Sequence, residues 1–144
     1  MRLSTFLVAD HAEAVGGKLY VTGGCWNSLA VPELPAQHPH LSVAAALHLP
    51  WKATNQPHTL ELDLIDGDGQ SRLHEPVQGN LEAGRPPGMR AGDEVLIVIT
   101  FNFDGLKFET PGVHEFVLNL DGTELGRIGF KVLVAGQATL AARG

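Results

Sequence analysis

The most hydrophobic stretch of the chain is Val95–Phe103. Its odd positions are apolar throughout, whereas its even positions begin with Leu96 and Val98 and become polar at Thr100 and Asn102. Successive side chains of a β-strand point to opposite faces of a sheet. The pattern therefore predicts a central strand that buries one face fully and the other face for about half of its length.

Similar alternation predicts several further strands. In His40–Leu49 the odd positions are all apolar, and the even positions after His40 carry Ser42, Ala44, Ala46 and His48. Small residues on the even face predict either the close approach of another element or a position at a sheet edge. The other predicted strands are Leu3–Val8, Lys18–Thr22, Trp26–Val31, His58–Ile65, His114–Leu120 and Thr123–Val134, with a ragged pair across Ser71–His74 and Val77–Glu82.

Glycine and proline mark the connections between these strands. Asp66–Gly69 and Asp121-Gly122 are predicted to be hairpin turns, because Gly supplies a positive φ and Asp tolerates one. Three prolines between residues 32 and 39 predict a loop there, since proline cannot donate to a strand ladder. Asp10–Val15 is predicted to be a connection within a hairpin, because so short a helix gains little stability alone.

The strands recur at intervals of about 8–12 residues, and no helical pattern alternates with them. We therefore predict an all-β fold, an antiparallel β-sandwich of about eight or nine strands that is immunoglobulin-like or C2-like. One domain is predicted over residues 1–135. A C-terminal tail over residues 136–144 is expected to be frayed or to form a short helix.

Composition and charge restrict the classes of partner. The 144 residues carry a formal net charge of −6 and no run of Lys or Arg, which argues against a nucleic-acid partner. Cys25 is the only cysteine, so the chain forms no internal disulfide. The apolar start Met1–Ala9 is short and runs into Asp10, unlike a signal peptide, and no stretch approaches the length of a membrane span. We expect a cytoplasmic protein with no membrane partner.

Several motifs along the chain carry a family resemblance. They are Asp10-His11-Ala12-Glu13, Gly17–Trp26, Pro50-Trp51 with Thr54-Asn55 and His58, Gly84-Arg85-Pro86-Pro87-Gly88, Phe101-Asn102-Phe103 with Gly105-Leu106, and Pro111-Gly112 through Asp121-Gly122. With these motifs the chain resembles a family of small stand-alone bacterial proteins of unknown function that is frequent in actinobacteria. The resemblance covers nearly the whole chain and implies a cytoplasmic β-sandwich, with no activity or catalytic residue to carry over.

The seven histidines raise the question of a metal site, and His38-Pro39-His40 holds the tightest pair. In cupin-type barrels such a pair is soon followed by a glutamate, but the next acidic residue here is Glu61. A zinc site on Cys25 would lack the usual paired thiolates. We therefore expect no metal and no cofactor, and interpret these histidines as surface or turn residues.

Calcium binding and nucleophilic catalysis have weaker signals. Asp63, Asp66 and Asp68 could gather a calcium ion, but Gln70 stands where a third oxygen ligand is needed and no Glu closes the loop. A hairpin turn is the favoured interpretation. The chain has no G-x-S-x-G elbow and no P-loop. We expect no catalytic residues and a protein that is not an enzyme.

Two loops have the composition of a recognition site, residues 51–57 and 84–92. Within or near them Trp51, Asn55 and Arg85, together with Trp26 elsewhere, are the candidate binding residues, because Trp and Arg dominate binding hot spots. The alternative is structural, with Trp51 closing one end of the sandwich and Pro86-Pro87 fixing a crossover between sheets.

Three functions remain open. The leading hypothesis is a non-catalytic interaction or scaffold module that contacts another protein or a second copy of itself, with Leu96 and Val98 as candidate interface residues. The second is a module that binds a small ligand or carbohydrate through exposed aromatic side chains. The third is a metal-dependent enzyme built on the histidines.

Overall fold

The computed structural model describes residues 1–135, which form nine β-strands and one short 3-10 helix. The 3-10 helix is Trp51–Ala53 and lies between the fourth and fifth strands. The strands are β1 (Arg2–Val15), β2 (Lys18–Gly24), β3 (Ser28–Val31), β4 (Ala36–Pro50), β5 (His58–Asp66), β6 (Val77–Leu81), β7 (Glu94–Phe108), β8 (Gly112–Leu120) and β9 (Thr123–Val134).

Two sheets pack face to face, which confirms the predicted β-sandwich. The first sheet has four strands in the order β2-β1-β4-β7, and the second has five in the order β3-β9-β8-β5-β6. All pairs are antiparallel except β3 with β9, which run parallel. The core between the sheets includes the fully buried side chains Val8, Leu41, Val43, Leu47, Leu49, Leu62, Leu64, Phe108, Phe116, Leu118 and Val132.

The prediction that Val95–Phe103 is a central strand is wrong. These residues belong to β7, which lies at one edge of the four-stranded sheet and pairs with β4 alone among the described residues. Its odd-numbered side chains do pack against the core, but Leu96 on the other face is 56% exposed. Alternation of apolar and polar residues shows which face of a strand is covered but does not show how many strands pair with it. The sequence pattern therefore could not predict that β7 lies at an edge.

The strand that the four-stranded sheet is built around is β4. It pairs with β1 on one side and with β7 on the other. The predicted inward face is confirmed, because Leu41, Val43 and Leu47 are fully buried. On its other face Ser42 and Ala44 are also fully buried, since neighbouring side chains from the flanking strands cover such small residues.

Two predicted connections are strands in the structure. Asp10–Val15 continues β1 and pairs with β2, so the prediction of a non-strand connection is wrong. The predicted loop over residues 32–39 is wrong from Ala36 onward, because β4 begins there and includes Pro39. The last pair between β1 and β4 is Ala9 with Ser42, so Pro39 has a neighbouring strand on one side only, where proline is tolerated.

The predicted hairpin turns are confirmed. Asp121 and Gly122, with φ of +51° and +81°, join β8 to β9, as a two-residue turn between antiparallel strands requires. In the other turn the Asp66 Oδ1 accepts the backbone N–H groups of Asp68 and Gln70 at 2.9 and 3.0 Å. The predicted tail over residues 136–144 lies outside the described residues.

Candidate functional site

The structure brings Trp51 and Arg85 together at one end of the sandwich. The Arg85 guanidinium carbon lies 3.5 Å from the centroid of the Trp51 ring, a cation–π contact. The same guanidinium donates from Nε to Thr54 Oγ1 at 2.7 Å and from an Nη atom to the Trp51 carbonyl at 3.2 Å. Arg85 is therefore held by three contacts to one short segment.

Backbone hydrogen bonds explain why the two predicted recognition loops meet. The Trp51 N–H donates to the Asp93 carbonyl at 3.2 Å, and the Asn55 N–H donates to the Ala83 carbonyl at 2.7 Å. Asn55 has a φ of +57°, a left-handed conformation that asparagine tolerates better than most residues. The groove beside the tryptophan has a volume of about 300 Å³ and is lined by Pro50, Trp51, Lys52, Ala91 and Gly92.

A buried histidine connects two segments at this end of the molecule, the 3-10 helix and the turn between β8 and β9. The side chain of His58 is 4% exposed. It lies with Nδ1 2.6 Å from Asp121 Oδ2 and Nε2 2.7 Å from the Ala53 carbonyl oxygen. Both neighbours can accept hydrogen bonds, which favours a proton on each ring nitrogen. The hydrogen bond to Asp121, followed by that to Ala53, raises the pKa of His58, and the bond from His58 lowers the pKa of Asp121.

Trp26, the fourth predicted binding residue, lies elsewhere. Its ring packs edge-on against Phe130 with centroids 5.7 Å apart. Phe130 pairs with His114 near the start of β8, whereas His58 and Asp121 lie beyond the other end of that strand. The two tryptophans therefore occupy opposite ends of the five-stranded sheet, and each is half-buried.

The two predicted interface residues lie on the outer face of β7. Leu96 pairs with His48 and is exposed, and Val98 pairs with Ala46 and is half-buried. Among the described residues no strand pairs with the second edge of β7. This edge therefore presents free backbone groups beside an exposed leucine.

A projecting hairpin was not predicted as a functional element. Every residue from 13 to 24 is exposed except Leu19, which is half-buried, and we call this segment the hairpin arm. Tyr20 is 56% exposed and Val15 is 55% exposed. The register pairs Tyr20 with Glu13 and Val15 with Lys18, which places Tyr20 and Val15 on one face and Val21 on the other. Apolar side chains thus stand on both faces of the arm.

A polar cluster that was not predicted lies at the base of the hairpin arm. His11 Nδ1 is 2.9 Å from His40 Nε2, and the outer nitrogen of each ring faces a carboxylate. His11 Nε2 lies 3.0 Å from Glu13 Oε1, and His40 Nδ1 lies 2.6 Å from Asp104 Oδ1. We call His11 and His40 the histidine pair. His40 comes from the predicted His38-Pro39-His40 motif, but its partner comes from β1 and not from that motif.

Ser42 lies beside the histidine pair without the geometry of a nucleophile. Its Oγ is 3.4 Å from His40 Nε2, but the hydroxyl donates to Asn102 and accepts the Ala12 N–H at 3.0 Å. Ser42 is also fully buried. A serine that is covered and already donates its proton to an amide cannot attack a substrate, so the resemblance to a Ser-His-Asp arrangement is superficial.

Two of the three aspartates considered for calcium, Asp63 and Asp66, accept hydrogen bonds within or beside the turn. Besides the two turn hydrogen bonds to Asp66, Asp63 Oδ1 accepts the Ser71 hydroxyl at 2.7 Å. Hydrogen bonds from the Gln70 and Asp68 backbone lower the pKa of Asp66, and Arg72 adds to this effect. Within residues 1–135, no group of three or more His, Cys, Asp and Glu side chains is arranged to hold a metal ion. No helix in that range is long and apolar enough to cross a membrane.

Residues 4–133 match the model of a family described as a family of unknown function (DUF6941). The chain belongs to this family. The match includes seven strands completely and most of β1 and β9, but gives the family no activity. No curated protein matches the chain.

Two solved structures show distant similarity to the chain. A β-glucosidase from Listeria innocua, in complex with glucose, gives a TM-score of 0.43 at 15% identity, and the match covers 75% of this chain and 15% of that one. The alkylpurine DNA glycosylase AlkC of Pseudomonas fluorescens, bound to DNA containing an abasic site analog, gives 0.38 at 12% identity, covering 90% and 30%. Similarity at this level carries no argument about the activity of this chain.

Proposed function

We propose that the protein is a non-catalytic interaction module that docks another protein through the hairpin arm. The observation that carries the proposal is the exposure of Tyr20, Val15 and Val21 on the hairpin arm, in which no residue is buried. An isolated two-stranded hairpin is marginally stable in water, and exposed apolar clusters mark interaction sites. A partner that covers the arm would stabilise the hairpin and remove its apolar side chains from water.

The edge position of β2 supports this proposal. β2 pairs with β1 on one side only among the described residues, so its other side offers unpaired N–H and C=O groups. A partner strand can add to such an edge by main-chain hydrogen bonds, while side-chain pockets provide specificity. Tyr20 supplies the large amphipathic side chain that interface centres favour.

The edge of β7 offers a second contact surface of the same kind, which is the interface proposed for Leu96 and Val98. It lies at the opposite edge of the four-stranded sheet from the hairpin arm. Two open edges on one sheet suit a scaffold that bridges two partners, or copies of itself, in a row. We propose the hairpin arm as the primary surface because it exposes three apolar side chains, whereas β7 exposes one large one.

Site-specific photo-crosslinking in cells of the native host tests this proposal. We expect a photoreactive phenylalanine analogue in place of Tyr20 to give an adduct of discrete mass, and an adduct of twice the chain mass would identify a second copy. Asn80 is the matched control position, because it is exposed on β6, an edge strand of the other sheet. No adduct at position 20, or equal adducts at both positions, would contradict the proposal.

The groove beside Trp51 supports a second candidate function, the binding of a small ligand or carbohydrate. Its lining is mostly apolar, with the Lys52 ammonium and the Arg85 guanidinium as nearby charges. Titrating soluble oligosaccharides and apolar dyes while recording tryptophan fluorescence tests it. A response that persists in Trp51→Phe would come from Trp26 and would contradict a site at this groove.

We also propose, from the motifs of the sequence, that the protein is bacterial and cytoplasmic. Fractionation of host cells with an antibody against the chain tests the compartment. Recovery in a membrane or extracellular fraction would contradict it.

A further inference from the structure

We propose that the histidine pair is a binding site for a divalent transition metal of the Cu²⁺ class. His11 and His40 come from adjacent strands, β1 and β4, and meet just beyond the last backbone pair of those strands, Ala9 with Ser42. The rings are half-exposed, so a dissolved ion can reach them. The proposal is independent of the docking function of the hairpin arm.

The arrangement of the outer nitrogens favours a cation between the inner ones. The outer nitrogen of each ring faces a carboxylate, which is satisfied by a proton on that nitrogen. In those tautomers two neutral rings face each other with lone pairs across 2.9 Å. A shared proton or a metal ion relieves that repulsion, and a metal ion does so while leaving both rings neutral.

The separation of the inner nitrogens fits a metal with ligands at right angles. Two ligands about 2.0–2.1 Å from an ion and about 90° apart lie about 2.9 Å from each other, whereas a tetrahedral angle separates them by about 3.3 Å. The observed distance between His11 Nδ1 and His40 Nε2 is 2.9 Å. The two nitrogens face each other at hydrogen-bond distance, so both half-exposed rings turn on binding until each lone pair lies about 45° from the line that joins the nitrogens. Tetragonal geometry and imidazole ligands are preferred by Cu²⁺, which also binds most tightly among first-row divalent ions.

The carboxylates provide the outer support that metal-binding histidines require. Metal-ligating histidine usually donates its second N–H to a carboxylate or carbonyl, which fixes the ring and strengthens its basicity. Here Glu13 supports His11, and Asp104 supports His40. In the described part of the chain the side-chain ion pairs of these two carboxylates go to the histidines alone, so their negative charge remains available to balance a cation.

The pair supplies two protein ligands, fewer than a closed structural site. Water completes the coordination, as at metal sites with open positions.

Titration of the full chain with Cu²⁺, followed by electron paramagnetic resonance and isothermal calorimetry, tests the proposal. We expect one Cu²⁺ per chain with hyperfine splitting from two imidazole nitrogens. His11→Ala and His40→Ala should each abolish the stoichiometric site, and Glu13→Gln or Asp104→Asn should weaken it by about 10- to 100-fold. His74→Ala, at an exposed loop histidine, is the matched control and should leave binding unchanged.

Paramagnetic broadening in the unaltered protein keeps the test independent of variant folding. We expect Cu²⁺ to broaden the amide signals around residues 11 and 40 first. Broadening centred elsewhere, unchanged affinity in His11→Ala, or no Cu²⁺ binding by the unaltered chain would overturn the proposal. The last result would mean that the two nitrogens share only a proton.

Discussion

Two leucines on neighbouring strands provide a matched test of the packing. Leu47 on β4 is 0% exposed, and Leu96 on β7 is 56% exposed, although the sequence gives both strands a similar apolar character. We expect Leu47→Ala to destabilise the fold strongly and Leu96→Ala to destabilise it little. The comparison holds the chemical change constant and varies only burial.

The expected magnitudes follow from the surroundings of each side chain. Three buried carbon groups are lost from Leu47, about 2.4 kcal/mol of transfer free energy at about 0.8 kcal/mol each. A cavity term adds to this, because Leu47 lies between Leu3 and Ile97 on paired strands that cannot collapse inward. We therefore expect a loss of about 3–5 kcal/mol. For Leu96 less than half of the transfer term applies and no cavity forms, so the loss is at most about 1 kcal/mol.

Urea unfolding followed by tryptophan fluorescence measures both values, with equal slopes confirming that the unfolded states are comparable. The measurement should be repeated at two protein concentrations. A loss for Leu96→Ala that equals that for Leu47→Ala at low concentration would refute the packing described here. A loss that grows with concentration would show that a second copy covers Leu96.

Three further predictions concern single sites. His58 has a raised pKa, so its contribution to stability is complete below its ordinary pKa of 6.5 and is lost as pH rises through the raised pKa. The free energy of unfolding should therefore fall between pH 6 and 9, and His58→Gln should make it depend less on pH. Gly23 and Gly17 both have a positive φ, +60° and +76°, so alanine is strained at either position. A Cβ at Gly23 would in addition meet the side chain of Asp10, whereas the site of Gly17 is open, so Gly23→Ala should increase amide exchange in the hairpin arm more than Gly17→Ala; equal effects would contradict the close approach. Arg85→Lys should lose the planar contact with Trp51, worth about 0.5–1 kcal/mol at an exposed site, and change the near-ultraviolet circular dichroism of the tryptophan; an unchanged spectrum would contradict the contact.

The sequence predicted the architecture where each strand has one buried face. β5 alternates cleanly because its outer face carries Thr59, Glu61 and Asp63, which contact solvent, and β8 alternates except at the buried Val117. Asp121-Gly122 marks the turn because its backbone requires positive φ. The strand over Asp10–Val15 was not predicted, because beyond Ala12 both of its faces are exposed and its residues need not alternate between apolar and polar. The edge position of β7 was not predicted, because the polarity of its side chains does not depend on how many strands pair with its backbone.

One of the two sites could be predicted from the sequence and the other could not. Trp51 and Arg85 could be proposed because each belongs to a loop whose composition favours recognition, and two backbone bonds then bring those loops together. The histidine pair could not be proposed, since His11 and His40 lie 29 positions apart and meet only through the register of β1 with β4. His40 and Ser42 share one face of a strand, which was the one signal available.

The most direct test of the docking proposal is the accessibility of the hairpin arm in its native setting. A single thiol would be introduced as Tyr20→Cys, or as the control Asn80→Cys, in a Cys25→Ser background, because Cys25 is itself exposed. Maleimide labelling would be compared between host cell lysate at native abundance and the purified chain. We expect position 20 to be protected in the lysate and labelled in the purified chain, and position 80 to be labelled equally in both. Equal labelling of position 20 in the two settings would contradict the claim that a partner covers the arm.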